Sequence, residues 1–184
     1  MNPGANRVCE LNLRSPHWIR GGIIPVLDTP TGRLYGFGID SDYGTLIDFG
    51  GHRESFDYDI LDTARRELSE ESFDVFGKPS RSELLKLPVL YNDTDMEILW
   101  LINSNRSPNV SNSTNVNNRS QQYHPQHPHH LQSEFRKLVD YHLQYDDKKV
   151  ENTDLIWLTY DQIKRTSPQS MYPRLWKLLF YGNV

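Results

Sequence analysis

Gly50–Phe76 reads GGHRESFDYDILDTARRELSEESFDVF, and the rest of the chain is best understood outward from it. A paired-glycine turn leads into a predicted helix whose centre is Arg66-Glu67-Leu68-Ser69-Glu70-Glu71. At about 100° per residue, Glu67, Glu70 and Glu71 fall within an arc of roughly 100° on that helix. Three carboxylates therefore share one face. Ile60, Leu61, Ala64 and Leu68 recur at helical spacing mainly on another flank, so one side can pack while the acidic side lines a cleft. Like charges one turn apart cost a few tenths of a kcal/mol per pair, and a hard divalent cation removes that cost. The competing meaning of such a run is a solvated acidic face. The glycine turn, the Arg-Glu pair and the strand-like flanks agree instead on a built site.

On these residues the chain resembles the Nudix hydrolases. Their signature runs from a Gly through a spaced Glu to Arg-Glu-apolar-x-Glu-Glu-x-Gly-apolar, and its second half stands here as Arg66-Glu67-Leu68-Ser69-Glu70-Glu71-Ser72. Two departures accompany the match. Phe73 takes the place of the family glycine, and the spacing from Gly51 to Arg66 is one residue longer than the family pattern. The loop carboxylate is therefore open between Asp57, nearest the expected place, Glu54 and Asp59. The resemblance implies an α/β/α sandwich around a mixed β-sheet, and a metal-dependent hydrolase of diphosphate linkages. It also implies that Glu67, Glu70 and Glu71 hold Mg²⁺ or Mn²⁺, with the Gly51 carbonyl as a further ligand and Arg66 orienting the loop carboxylate.

Length and composition fit a single domain over residues 1–184 with a real core. Twenty basic against 24 acidic residues leave a net charge of −4, so no global basic field attracts nucleic acid, although a local basic groove is compatible with it. The single Cys9 excludes an internal disulfide and a cysteine-rich zinc site, and no disulfide-linked partner is expected. The chain has neither an apolar run of membrane-spanning length nor the apolar centre of a signal peptide. The expectation is a soluble, intracellular, most naturally cytoplasmic protein.

Taken in order, Val8–Leu13 reads as a short strand and Trp18–Leu27 as a buried one, with Pro25 implying an edge, an end or a bulge. Arg33–Ile39 alternates: Tyr35, Phe37 and Ile39 share one face, Gly36 and Gly38 the other, where a helix or ligand can approach closely. Leu46–Phe49 delivers the chain into the glycine turn. Gly77-Lys78-Pro79 is a helix stop. Leu84–Leu90 and Glu97–Ile102 read as a strand pair joined by the Asn92–Asp95 turn. Residues 103–132 turn abruptly to Asn, Ser, Gln, His and Pro, which predicts a disordered low-complexity insertion. Helical spacing returns over Ser133–Gln144, a strand over Asp154–Leu158, a short helical turn over Tyr160–Lys164, and a closing helix over Pro173–Phe180.

Diphosphate hydrolysis needs neutralised phosphate charge, an oriented water and a stabilised leaving group. Clustered carboxylates suit hard cations, which prefer oxygen ligands. For the general base the candidates are Glu67, Glu151 ahead of the late strand, and Glu134. Trp18, Tyr35 and Tyr43 are candidates to stack a nucleobase, although aromatics at strand spacing usually belong to the core. His124, His127, His129 and His130 read as low-complexity composition rather than a metal site. The Asn-x-Ser/Thr sequons at Asn105, Asn109, Asn112 and Asn118 are expected to go unused without secretion.

The expected substrate is a nucleoside diphosphate linked to another group. Nucleoside triphosphates, ADP-ribose-like molecules, dinucleoside polyphosphates, diphosphoinositols and the 5′ cap of RNA are all candidates. The Asn-rich segment and the Glu-Glu-Ser ending resemble Nudix enzymes of large DNA viruses, some of which remove caps, which would make capped RNA a partner. Against RNA stands the acidic balance of the chain, since phosphate contacts need Lys and Arg. A second class of function is a non-catalytic Nudix-like module that binds a nucleotide or a protein.

Overall fold

Arg20–Thr29 (β1) is the strand on which the sheet is built, in a computed structural model that describes residues 11–104, 127–146 and 149–181. On one side β1 runs parallel to Glu97–Asn103 (β6). On the other it meets two antiparallel partners in succession, Phe49–His52 (β4) against Arg20–Ile23 and Gly32–Asp40 (β2) against Val26–Thr29. Ile24 and Pro25 fall in the gap where the ladder changes partner. Proline has no N–H to give, so the gap tolerates it. The expectation that Pro25 marks an edge or an end is thus corrected: β1 is central. Leu46–Ile47 (β3) and Asn152–Thr159 (β7) pair with β2, and Val89–Asn92 (β5) pairs with β6, which completes a mixed sheet of seven strands among the described residues.

Helices cover both faces, giving the expected α/β/α sandwich. Ile60–Ser72 (α1) buries Ile60, Leu61, Ala64 and Leu68 on one face, together with Leu84 of Arg81–Leu84 (α2) and Leu131, Phe135 and Val139 of Pro128–Tyr145 (α3). On the other face Ile163 of Tyr160–Arg165 (α4) and Leu175, Leu178 and Leu179 of Pro173–Tyr181 (α5) pack on Ile24, Phe37 and Leu99. Each such side chain contributes about 1.5–3 kcal/mol relative to exposure. Among the described residues no helix is long and apolar enough to cross a membrane.

Several expectations are corrected. Leu11–Leu13 form bend and turn rather than strand, and Leu13 is buried against the core. Leu84 closes α2 instead of opening a strand, because Ser80 and Glu83 form a capping box that starts a helix there; the strand begins at Val89. The low-complexity segment loses both its ends, since β6 runs through Asn103 and α3 begins at Pro128, with proline in the first helical turn where its missing N–H costs nothing. Residues 105–126, with His124 and the four sequons, lie outside the described residues, as does Cys9. Gly36 and Gly38 admit neither helix nor ligand. They make room for the Trp157 ring and the Asn152 side chain of β7.

α1 begins at Asp59, whose side chain accepts from the N–H groups of Leu61 and Asp62, and ends at Phe73 in the left-handed conformation (φ 52°). The resemblance puts a glycine at this position, and the structure shows why one would suit it. Phe73 holds the conformation through its ring, which stacks on His142 (4.5 Å between centroids) and contacts Phe135 (5.7 Å) of α3. Phe73→Ala loses these contacts and keeps the backbone strain, whereas Phe73→Gly loses the contacts and relieves it. The glycine variant is expected to be more stable than the alanine variant by about 1 kcal/mol in urea denaturation. Equal stability would show that the strain is absent.

Candidate active site

The paired glycines form no turn: Gly50 and Gly51 lie within strand β4, in register with Gly22 and Gly21 of β1, and there they meet α1 at two buried carboxylates. A Cβ on Gly51 would lie 2.5 Å from Cδ and Oε1 of Glu67, so only glycine leaves space for that side chain. Beside it, Glu71 Oε2 accepts from the Gly50 N–H (3.0 Å) and from Asn152 Nδ2 (3.2 Å). Burial pushes the Glu71 carboxyl well above the ordinary range, with the charges of Asp48, Glu67 and Glu151 adding and Arg20 opposing. Burial also raises Glu67, with Arg66 opposing and Glu70 and Glu151 adding. Glu151 is therefore brought within electrostatic reach of both carboxylates. It is exposed, at the entrance to β7, with its carbonyl tied to the Ser41 N–H (2.8 Å).

Arg66 joins the loop, the helix and β4. Its guanidinium donates to Asp57 (3.0 and 3.3 Å), Glu67 (2.6 Å), Glu70 (3.1 Å) and the His52 carbonyl (3.1 Å). The loop carboxylate is thereby identified as Asp57. Burial opposes its ionisation, but hydrogen bonds from Arg66, the Glu54 N–H and Thr63 outweigh this and hold it below the ordinary range. Glu54 contributes its N–H to that carboxylate, and Asp59 is committed to capping α1 and to Arg81 (2.6 and 2.9 Å).

The structure separates the remaining candidates. Glu70 is largely exposed and turned to Arg66, and among the described residues no three His, Cys, Asp or Glu side chains converge as a ready-made metal cage. The expected set is on one helix face, then, but its third member is directed outward. Glu134 lies on α3, half-buried and paired with Lys137 (2.8 Å). Trp18 belongs to the core, Tyr35 is half-buried against the second core cluster, and Tyr43 is exposed. His127 and His129 stack on each other at the start of α3. The donor chemistry nevertheless fits a hard divalent cation: two buried carboxylates, with the charge of Glu67 adding to the rise at Glu71, beside a glycine that leaves room at Glu67.

Sequence reading passed over three residues. Asn152, Asp48 and Arg20 all bear on Glu71, and the only signal for the last two was a charged residue inside an apolar strand. Arg20 is buried and donates to Asp48 (2.9 and 3.0 Å), to the Gly50 carbonyl (2.8 Å) and to Glu97. Burial pushes Glu97 up to about 7, with Asp48 adding and Arg20 and Arg174 opposing. A raised folded pKa means that the native state holds the proton more tightly than the unfolded chain. The resulting stability is complete below about pH 4.5 and is lost as pH rises through about 7. Urea denaturation between these limits should show this fall in the wild type and a flatter profile in Glu97→Gln. Parallel profiles would assign the dependence to another group.

No family model and no curated protein matches the chain. Among solved structures it is similar to a C. elegans Ap4A hydrolase in a binary complex, with 14% identity, 87% of this chain and 92% of that chain covered, and a TM-score of 0.45. A NUDIX-family hydrolase from Clostridium perfringens is similar at 12% identity, with 92% and 93% covered and a TM-score of 0.40. At these values the functional reading rests on the residues of the site itself.

Proposed function

We propose that the protein is a divalent-metal-dependent Nudix-type hydrolase that cleaves the diphosphate linkage of a nucleoside diphosphate joined to another group. The observation that carries this reading is the pair of buried carboxylates, Glu67 and Glu71, set against Gly50 and Gly51 of β4, with Glu70 and Glu151 at the rim. Buried like charges without a cation on their axis are costly. Glu67, Glu70, Glu71 and the Gly51 carbonyl would hold Mg²⁺ or Mn²⁺, which supplies charge neutralisation and acidifies water. Swinging Glu70 inward gives up only an exposed ion pair with Arg66, worth at most about 1 kcal/mol. Arg66, anchored on Asp57, fixes the start of the acidic face. Glu151 is exposed and close to Glu67 and Glu71, a placement that suits a residue taking a proton from water; Glu67 is the other candidate.

Among substrates, capped RNA remains the refinement suggested by the resemblance to viral enzymes, with small dinucleotides as its rival. A panel of nucleoside triphosphates, ADP-ribose, dinucleoside polyphosphates, diphosphoinositols and capped RNA, assayed with Mg²⁺ and Mn²⁺, tests the proposal. Cleavage between phosphates that stops on chelation is the expected result. Nucleotide binding without turnover of any member would favour the non-catalytic module.

A further inference from the structure

Arg20 is a buried cation that the site reading above leaves unused, and its contacts lead to the acidic face. The Asp48 carboxylate threads between Gly22 and Gly50, where a Cβ on either glycine would overlap it, and meets both terminal nitrogens of Arg20. The same guanidinium holds the Gly50 carbonyl, while the Gly50 N–H holds Glu71. Glu97 from β6 takes up the remaining side of Nη1. A single fork therefore spans β1, the β3–β4 junction and β6, and its last link is residue Gly50, whose carbonyl meets Arg20 and whose N–H, in the preceding peptide group, meets Glu71. Lysine has the charge but only one nitrogen, so it cannot bridge Asp48 and the Gly50 carbonyl in this way.

The geometry points to Arg20 as a positioning residue for Glu71, acting through Asp48 and the Gly50 main chain. It touches neither the proposed metal ligands nor substrate, and it sets where the Glu71 carboxylate stands relative to Glu67. This inference rests on the proposed hydrolase reading for its catalytic consequence, but the positioning itself is measurable without metal or substrate.

The test is Arg20→Lys beside Ile163→Ala, a buried α4 change on the same side of the sheet that serves as a control for general loss of stability. Hydrogen exchange at the Gly50 amide, read by NMR in the metal-free protein, should quicken about tenfold or more in Arg20→Lys beyond any change in the control. Mn²⁺ titration should show weaker binding, and kcat should fall about tenfold or more with KM kept. Gly50 exchange and Mn²⁺ affinity equal to those of the control would overturn the assignment and leave Arg20 a structural residue. If Arg20→Lys does not fold, Asp48→Asn replaces it, with the same shifts expected and the same equality decisive. A wild-type protein that neither binds Mn²⁺ nor hydrolyses any diphosphate would sink the function reading alone, and exchange at Gly50 would still decide the role of Arg20.

Discussion

Gly51→Ala is expected to cut metal-dependent hydrolysis by about two orders of magnitude or more while the protein stays folded. The cause is space rather than backbone conformation, because Gly51 is not among the glycines with positive φ. An added methyl would lie 2.5 Å from the Glu67 carboxylate, well inside contact distance, so the carboxylate must move. Displacing a reacting group by about 1 Å can cost about a hundredfold in rate. Only one methyl is added, in the short strand β4, so the sheet and both cores should survive. Circular dichroism and kcat measured together decide the matter. A folded variant with wild-type kcat would show that Glu67 takes no part in the chemistry.

Glu151→Gln is expected to lower kcat by roughly 10² to 10⁴, the range typical of lost acid–base catalysis, with Mn²⁺ affinity nearly intact. Its carboxylate is exposed and lies outside the set assigned to the metal, so the melting temperature should hardly move. Glu67→Gln should instead weaken Mn²⁺ binding as well as rate, since Glu67 is buried against Gly51 and belongs to the ligand set. Both variants need assay at saturating metal and substrate, so that a weakened site is not mistaken for a missing base. Turnover of Glu151→Gln at the wild-type rate would pass the role to Glu67. Glu134, held by Lys137 on α3, is poorly placed to inherit it.

What lay open in the sequence was local. Helix α1 and its apolar and acidic flanks follow from spacing within one stretch, because a helix brings residues three and four apart together whatever surrounds it; the glycine pair before it reads locally as a turn, and only its pairing with β1 makes it strand. The Asn92–Asp95 turn was legible for the same reason, since Asn92 accepts from the N–H groups of Thr94 and Asp95, its own near neighbours. The start of α2 is equally legible in Ser80 and Glu83, but the apolar run that follows draws its last residue, Leu84, into the expected strand.

Tertiary structure alone decided which of Glu54, Asp57 and Asp59 meets Arg66. All three lie within a short loop and differ only in where the folded loop aims them. It also decided that Asn152, far along the chain, donates to Glu71, and that Glu151 comes with it; both depend on the register of β7 against β2. Strand register is chosen by packing of the whole sheet, and one step of slip would turn every side chain to the opposite face. The placement of Arg20 has the same origin. Its buried charge is tolerable only where β1, β3–β4 and β6 deliver Asp48, the Gly50 carbonyl and Glu97 to one point, and no spacing along the chain records that meeting.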